Sequence, residues 1–265
     1  MRNHSVLITG AAKRLGREIA LYFARSGWNV AIHYGASADE AKKTCSEIEA
    51  LGVKTIAVQG KLESESDIKR FYLEAEEALG PLDCLINSAS RFVYDRASSL
   101  EQSMTQEGLI RNMQVNLAAP ILLSQMLYQQ TIQNKKKYLD EPFLPAIIQL
   151  LDQKLMNLNP DYLSYTLSKS ALQTATTMLA MDFAPDVRVI GLAPGITLPS
   201  GDQTKEEFAK SHQMTPLNKS STSADIAAAA FYLANAQAIT GTTLYVDGGQ
   251  HLISSNRDVM FKIRN

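Results

Sequence analysis

Seven short apolar runs, each followed by a longer amphipathic or polar segment, set the terms on which this chain folds. "SVLITG" leads into a helical pattern from about Leu15 to Arg25, "NVAIHY" into one from about Ala38 to Leu51, and "KTIAVQ" into Ser66 to Leu79. "LDCLINSA" precedes a helical region reaching about Gln130, and "PAIIQLLD" a helix through Tyr165 to Phe183. "VRVIGLAP" is followed by a polar loop and a helix from Ser223 to Asn235, and "TTLYVDGG" closes the series. None of the runs shows a clean alternation of apolar and polar residues. Alternation suits a strand with one wet face, whereas an unbroken apolar run suits a strand covered on both, as in a parallel sheet clothed by helices. The pattern predicts an α/β chain with a single doubly wound domain over residues 1–265, its seven-stranded parallel sheet flanked by helices. With 265 residues, 45% of them apolar, the chain can bury such a core. No linker of biased composition, internal repeat or low-complexity tract divides it.

A formal charge of −1 argues against a nucleic-acid surface, which concentrates Lys and Arg on one face. The one dense basic run, "NKKKY" at Asn134 to Tyr138, is followed at once by Asp140 and Glu141 and reads as a solvated loop. Cys45 and Cys84 are the only cysteines and lie far apart, so neither a disulfide framework nor a zinc ligand set is indicated. The histidines, His4, His33, His212 and His251, are scattered, and no metal is expected. The first apolar run, Val6 to Ile8, is too brief for a signal-peptide core, and no stretch of about 18 apolar residues exists. The expectation is a cytoplasmic protein with neither nucleic acid nor membrane as partner.

"VLITGAAKRLGREIA" sets a strand directly before Gly10 and a helix directly after Gly16, which aims backbone amides at a phosphate. Arg14 stands where such turns often carry a second glycine, and its guanidinium suits a pyrophosphate or an anionic substrate edge. The second strand ends "AIHYGASADE", with His33, Tyr34, Gly35, Ala36 and Ser37 ahead of the first acid, Asp39. A carboxylate at the strand end would hold ribose hydroxyls and repel a 2′-phosphate. Here Ser37, the backbone after Gly35, and Arg14 or His33 can donate to that phosphate, so NADP(H) is the predicted cofactor.

Tyr165 and Lys169 lie four apart on a predicted helix and emerge on one face, where an ammonium favours phenolate and can hold a nicotinamide ribose. Asp152 precedes the tyrosine by thirteen residues. Together with "TGAAKRLG", "LINSAS", "NMQVNLAAP", "YTLSK", "APG" and "ITGTTLYVDGG", these pieces resemble the short-chain dehydrogenase/reductase family along essentially the whole chain. The resemblance implies a Rossmann-type fold, a nicotinamide cofactor and a homotetramer. It implies that Asn116, Tyr165 and Lys169 are catalytic and that Gly10, Leu15, Tyr34, Leu62, Asn87, Ala89, Gly195 and Ile196 border the cofactor, with Tyr165 and Lys169 touching it as well.

In members that reduce ketones, a serine at the place of Asp152 helps hold the carbonyl oxygen, and a deprotonated acid there would repel the developing oxyanion. A pterin, with its ring nitrogens and exocyclic amine, suits a carboxyl group that accepts from them or passes a proton to nitrogen. Within the family the chain is most similar to pteridine and dihydromonapterin reductases, on "GAAKRLG" with Arg14, on "SASRF" with Ser90 and Phe92, and on Asp152. By that resemblance Phe92 stacks on the pterin, Ser90 bonds substrate or cofactor phosphate, and Arg14 sits between pyrophosphate and pterin. The chain departs from the pattern in carrying Gly35 and Ala36 where a basic residue often follows "HY", Lys61 where an acid commonly faces adenine, and Ser88 within Asn87-Ser88-Ala89. The preferred expectation is therefore NADPH-dependent reduction of a pterin or dihydropterin to the tetrahydro form. Reduction of a carbonyl or 3-oxoacyl thioester is the alternative, and a non-catalytic nucleotide-sensing module a third, disfavoured by the intact Asn116, Tyr165 and Lys169. The stretch from Thr197 to Met214 is expected to close over the ligand.

Overall fold

In a computed structural model the described residues are 3–135, 143–199 and 204–262. Seven parallel strands form one sheet in the order β3-β2-β1-β4-β5-β6-β7. They are β1 (Ser5–Ile8), β2 (Asn29–Tyr34), β3 (Thr55–Gln59), β4 (Cys84–Asn87), β5 (Ala146–Leu150), β6 (Arg188–Pro194) and β7 (Thr243–Val246). In register, Leu7 of β1 sits between Ala31 of β2 and Leu85 of β4. Successive side chains take opposite faces, so Val6 and Ile8 enter one core layer and Leu7 the other. The first layer packs under α1 (Arg14–Arg25) and α8 (Ser223–Asn235), and the second under α3 (Glu65–Leu79) and α5 (Ala119–Gln133). Both faces are thus dry, which is why the strands read as unbroken apolar runs.

The remaining helices are α2 (Ala38–Glu49), α4 (Gln106–Met113), α6 (Leu163–Asp182), α7 (Lys205–Gln213) and α9 (Val259–Lys262). Two departures from the sequence expectation bear on function. The region up to Gln130 is broken by a π turn, Gln114–Ala118, between α4 and α5. The polar segment after β6 holds α7, started by a capping box in which the Thr204 hydroxyl accepts from Glu207 N while the Glu207 carboxylate accepts from Thr204 N. Ser200–Gln203 of that segment lies outside the described residues, as do 136–142 of the basic run and its acids. Lys135, just before them, pairs with Asp186 at 2.9 Å. No helix of the described residues is long and apolar enough to cross a membrane. None of their His, Cys, Asp and Glu side chains form a group able to hold a metal.

The strand order reverses between β1 and β4. A crevice opens there at the carboxyl ends of the strands, the place where open α/β sheets bind ligands.

Candidate active site

The turn after β1 is built around two close approaches. Gly10 has φ +66°, and a Cβ there would lie 2.9 Å from Ala89 Cα. A Cβ on Gly16 would lie 2.5 Å from the Gly10 carbonyl oxygen. Thr9 Oγ1 accepts from Ala89 N at 3.0 Å, tying the ends of β1 and β4 together. Arg14 has φ +55°, so this position demands the left-handed backbone that glycine adopts freely, and here an arginine holds it. Its Nη2 donates to the Pro199 carbonyl at 3.0 Å, spanning from the turn to the segment after β6. No acidic side chain lies in the first turn of α1, so nothing there offsets the positive end of the helix.

His33 corrects the sequence reading. Its ring is buried, Nδ1 accepts from Gly10 N at 3.3 Å, and Nε2 faces the Gly60 carbonyl at 3.1 Å. This arrangement requires a neutral ring with its proton on Nε2, and burial lowers its pKa from 6.5 to about 4. His33 therefore props up the glycine turn and has no ring donor left for a phosphate. Tyr34 and Ser37 follow it, half-buried, at the end of β2 and the start of α2, and Leu62 is buried beyond β3. Lys61 is exposed, and its backbone N–H donates to Asp67. Asn87 is buried at the end of β4, with Nδ2 donating to Gln149 at 3.0 Å and an Oδ1 that accepts no hydrogen bond.

Across the crevice, β5 runs out at Leu150, and Asp152 caps a 3₁₀ turn, Gln153–Met156, by accepting from Lys154 N at 2.8 Å. Its other oxygen accepts from the Tyr165 hydroxyl at 2.8 Å. Strand end and helix face thus bring together two residues thirteen apart. Burial raises the Asp152 pKa, only partly opposed by the hydrogen bonds from Lys154 N and Tyr165. Burial and then the charge of Asp152 push Tyr165 well above the ordinary phenol range. Lys169 does not reverse this. Its Nζ donates to the Leu150 carbonyl at 2.5 Å and lies 6.0 Å from the Tyr165 ring centre, and burial lowers its pKa to about 8. The expectation that the ammonium favours phenolate is therefore corrected: desolvation and the neighbouring acid outweigh it, and the pair retains its protons.

Asn116 sits in the π turn and is fully buried. Its Oδ1 accepts from Arg91 N at 2.8 Å and Ser90 Oγ at 3.2 Å, while Nδ2 donates to Ser168 Oγ at 2.9 Å and the Arg91 carbonyl at 3.0 Å. These bonds fasten the Ser90–Arg91 backbone to α6 and reach neither Tyr165 nor Lys169. The next residue, Phe92, is half exposed; it stacks on Tyr162 with centroids 4.1 Å apart and meets Tyr165 edge-on at 4.7 Å.

Together these groups enclose a cleft of about 480 Å³. Gly10, Arg14 and Leu15 of the glycine turn line it, with Ala89, Ser90 and Phe92 after β4, Asp152, Tyr165 and Lys169 after β5 and on α6, and Gly195 and Ile196 after β6. His33, Tyr34, Ser37, Leu62, Asn87 and Asn116 lie outside this lining. The residues present fit a dinucleotide, because the glycine turn leaves no room for side chains and its helix start offers N–H groups. Asp258, Val259 and Met260, from the last described helix and the residue before it, complete the lining, and no sequence signal marks them as part of the site. That segment is anchored on fully buried Asp161, which accepts from Arg257 Nε and Asp258 N, each at 2.8 Å, and from Tyr94 at 3.3 Å. Burial works against the Asp161 charge, but these hydrogen bonds outweigh it and its pKa is lowered. Lys154, also buried, lies 3.6 Å from the Asp258 carboxylate.

A family model described as Enoyl-(Acyl carrier protein) reductase matches residues 10–251. The chain is 28% identical over 258 residues to the 3-oxoacyl-[acyl-carrier-protein] reductase FabG of Staphylococcus epidermidis, covering 94% of this chain and 100% of that protein. Among solved structures it is similar to FolM Alternative dihydrofolate reductase 1 from Brucella canis complexed with NADP, at 33% identity and TM-score 0.86, covering 97% of each chain. The corresponding FolM structure from Brucella suis, also with NADP, is 34% identical with TM-score 0.85, covering 96% of this chain and 97% of that one.

Proposed function

The chain belongs to the short-chain dehydrogenase/reductase family of oxidoreductases, and from that premise we propose that it reduces a pterin or dihydropterin ring to the tetrahydro form at the expense of NADPH. The observation that carries this reading is the 2.8 Å bond between Tyr165 and Asp152 beneath a half-exposed phenylalanine. When bound, NADPH supplies the hydride. The start of α1, Gly10 and Arg14 receive its phosphates, and Lys169 holds the ribose. Phe92, backed by Tyr162, covers one face of a flat ring. Tyr165 and Asp152, joined by their 2.8 Å bond, handle the proton destined for ring nitrogen, and burial raises the pKa of Asp152. The likeness to FolM Alternative dihydrofolate reductase 1 complexed with NADP supports both the cofactor and a nitrogen-heterocycle substrate.

A carbonyl or 3-oxoacyl thioester substrate is the second reading, favoured by the likeness to FabG. Asp152 stands against it, since a carboxylate opposes a developing oxyanion. NADPH consumption measured with dihydromonapterin, dihydrobiopterin, dihydrofolate and an acetoacetyl thioester separates the two. The pterins are expected to turn over, and Asp152→Ser and Tyr165→Phe to lower kcat by about 10²-fold or more, in the range of a lost acid–base group. Turnover of the thioester alone, or full pterin activity in either variant, would falsify the assignment.

A further inference from the structure

The proposed proton-handling pair does not exhaust the ionisable groups of the cleft. Asp258 enters it from the last described segment of the chain and separates it from a smaller adjoining cavity of about 70 Å³. We propose that Asp258 is a substrate-recognition residue, accepting hydrogen bonds from the amino and ring N–H groups of a 2-amino-4-oxopyrimidine edge. This rests on the pterin reading above and adds to it the group that selects the ring.

Three observations support it. First, the position of Asp258 is built. Its backbone N–H donates to buried Asp161 at 2.8 Å, and the neighbouring Arg257 donates its side-chain Nε to the same carboxylate, so the segment is held at two successive residues. Second, the carboxylate has acceptor capacity to spare. Oδ1 accepts from Met260 N at 3.2 Å, while Oδ2 lies 3.6 Å from Lys154 Nζ, an ionic contact longer than a hydrogen bond. The side chain is 22% exposed, which leaves these oxygens reachable from the cleft. Third, Lys154 is committed. Its Nζ donates to the Asp161 carbonyl at 2.5 Å and lies over the Tyr162 ring at 5.4 Å, so it counters the charge of Asp258 without filling the cleft.

The cleft therefore presents two carboxyl groups with different work. Asp152 is bonded to Tyr165 and desolvated; Asp258 is held beside a cation and open to a ligand. The carbonyl of a simple ketone or thioester is an acceptor only, and a second carboxylate can do nothing but repel it. A ring edge carrying an amine and an N–H offers two donors, which a carboxylate accepts in charge-assisted bonds. A site built for such donors rejects analogues lacking them, because its acceptor is then left without a partner.

The test uses Asp258→Asn, which preserves shape, and Asp258→Ala. Calorimetry measures binding of a 2-amino-4-oxo pterin and of its 2-oxo counterpart to the enzyme–NADP⁺ complex, and steady-state kinetics separates KM from kcat. The wild type is expected to prefer the 2-amino ring about tenfold or more, the scale of a charge-assisted hydrogen bond. Both variants should lose that preference, with Kd and KM for the 2-amino ring rising about 10- to 100-fold and the Kd for NADP⁺ unchanged. That unchanged value also shows the fold intact. Variants that keep the wild-type preference and Kd overturn the proposal while leaving the reductase reading standing. Asp258-dependent binding without turnover leaves this proposal standing and removes that reading. A wild type that binds neither ring overturns both.

Discussion

Arg14 holds a left-handed backbone, which costs an ordinary residue about 1 kcal/mol or more. Its guanidinium, meanwhile, bridges to the Pro199 carbonyl at the cleft mouth. Arg14→Gly relieves the backbone and loses the side chain, whereas Arg14→Ala loses the side chain and keeps the strain. The glycine variant is expected to be more stable than the alanine variant by about 1 kcal/mol in urea unfolding, the reverse of the usual order of these residues in a helix. Both should raise the KM for NADPH. An alanine variant as stable as the glycine one would show that the turn does not require φ > 0. The sequence marked Arg14 as occupying a glycine's place, but only the backbone explains why a glycine is common there. Likewise, the spacing of Tyr165 and Lys169 predicts a shared helix face, but spacing does not choose a rotamer, and the ammonium turns to Leu150. Asp258 was illegible because no local pattern ties it to Tyr165; only packing of the chain end does.

The π turn, Gln114–Ala118, interrupts a stretch that reads as continuous helix, and π turns recur at functional sites. Here it carries Asn116, whose amide holds the Ser90–Arg91 backbone against α6. Asn116→Ala strips partners from Arg91 N–H and the Arg91 carbonyl, while the Ser168 hydroxyl still donates to the Tyr165 carbonyl. The expected loss is about 2–6 kcal/mol in denaturant unfolding, since each of these two groups left unpaired costs about 1–3. Phe92, released from its fixed approach, should raise the pterin KM more than the NADPH KM. Equal increases would place Asn116 at the cofactor instead. Helix α7 was missed for a different reason. Its "TKEE" start is a legible capping signal, but the segment has no apolar stripe, and periodicity is what distinguishes a helix from a polar loop.

For the whole molecule, the strand series, the parallel sheet and the position of the crevice were legible because they follow from burial on both faces, a property of many residues at once. The tie between neighbouring strands at His33 was not, because it depends on which way one ring points. His33 titrates near 4 instead of 6.5, so between these values the unfolded chain binds a proton that the folded chain refuses. Stability from this group is complete above pH 6.5, is lost progressively down to pH 4, and levels off below. At about 1.4 kcal/mol per pH unit the loss is on the order of 3 kcal/mol. Urea unfolding of the wild type at pH 7 and 4.5 should show most of it, and His33→Gln should flatten the dependence; parallel curves for the two proteins would assign the acid sensitivity elsewhere. The imidazole between Gly10 and Gly60 also bears on any effort to re-engineer this reductase for another dinucleotide. Swapping the tip of β2 wholesale would unseat the phosphate turn that follows the neighbouring strand β1, so such a redesign should spare position 33 and work at 35–37.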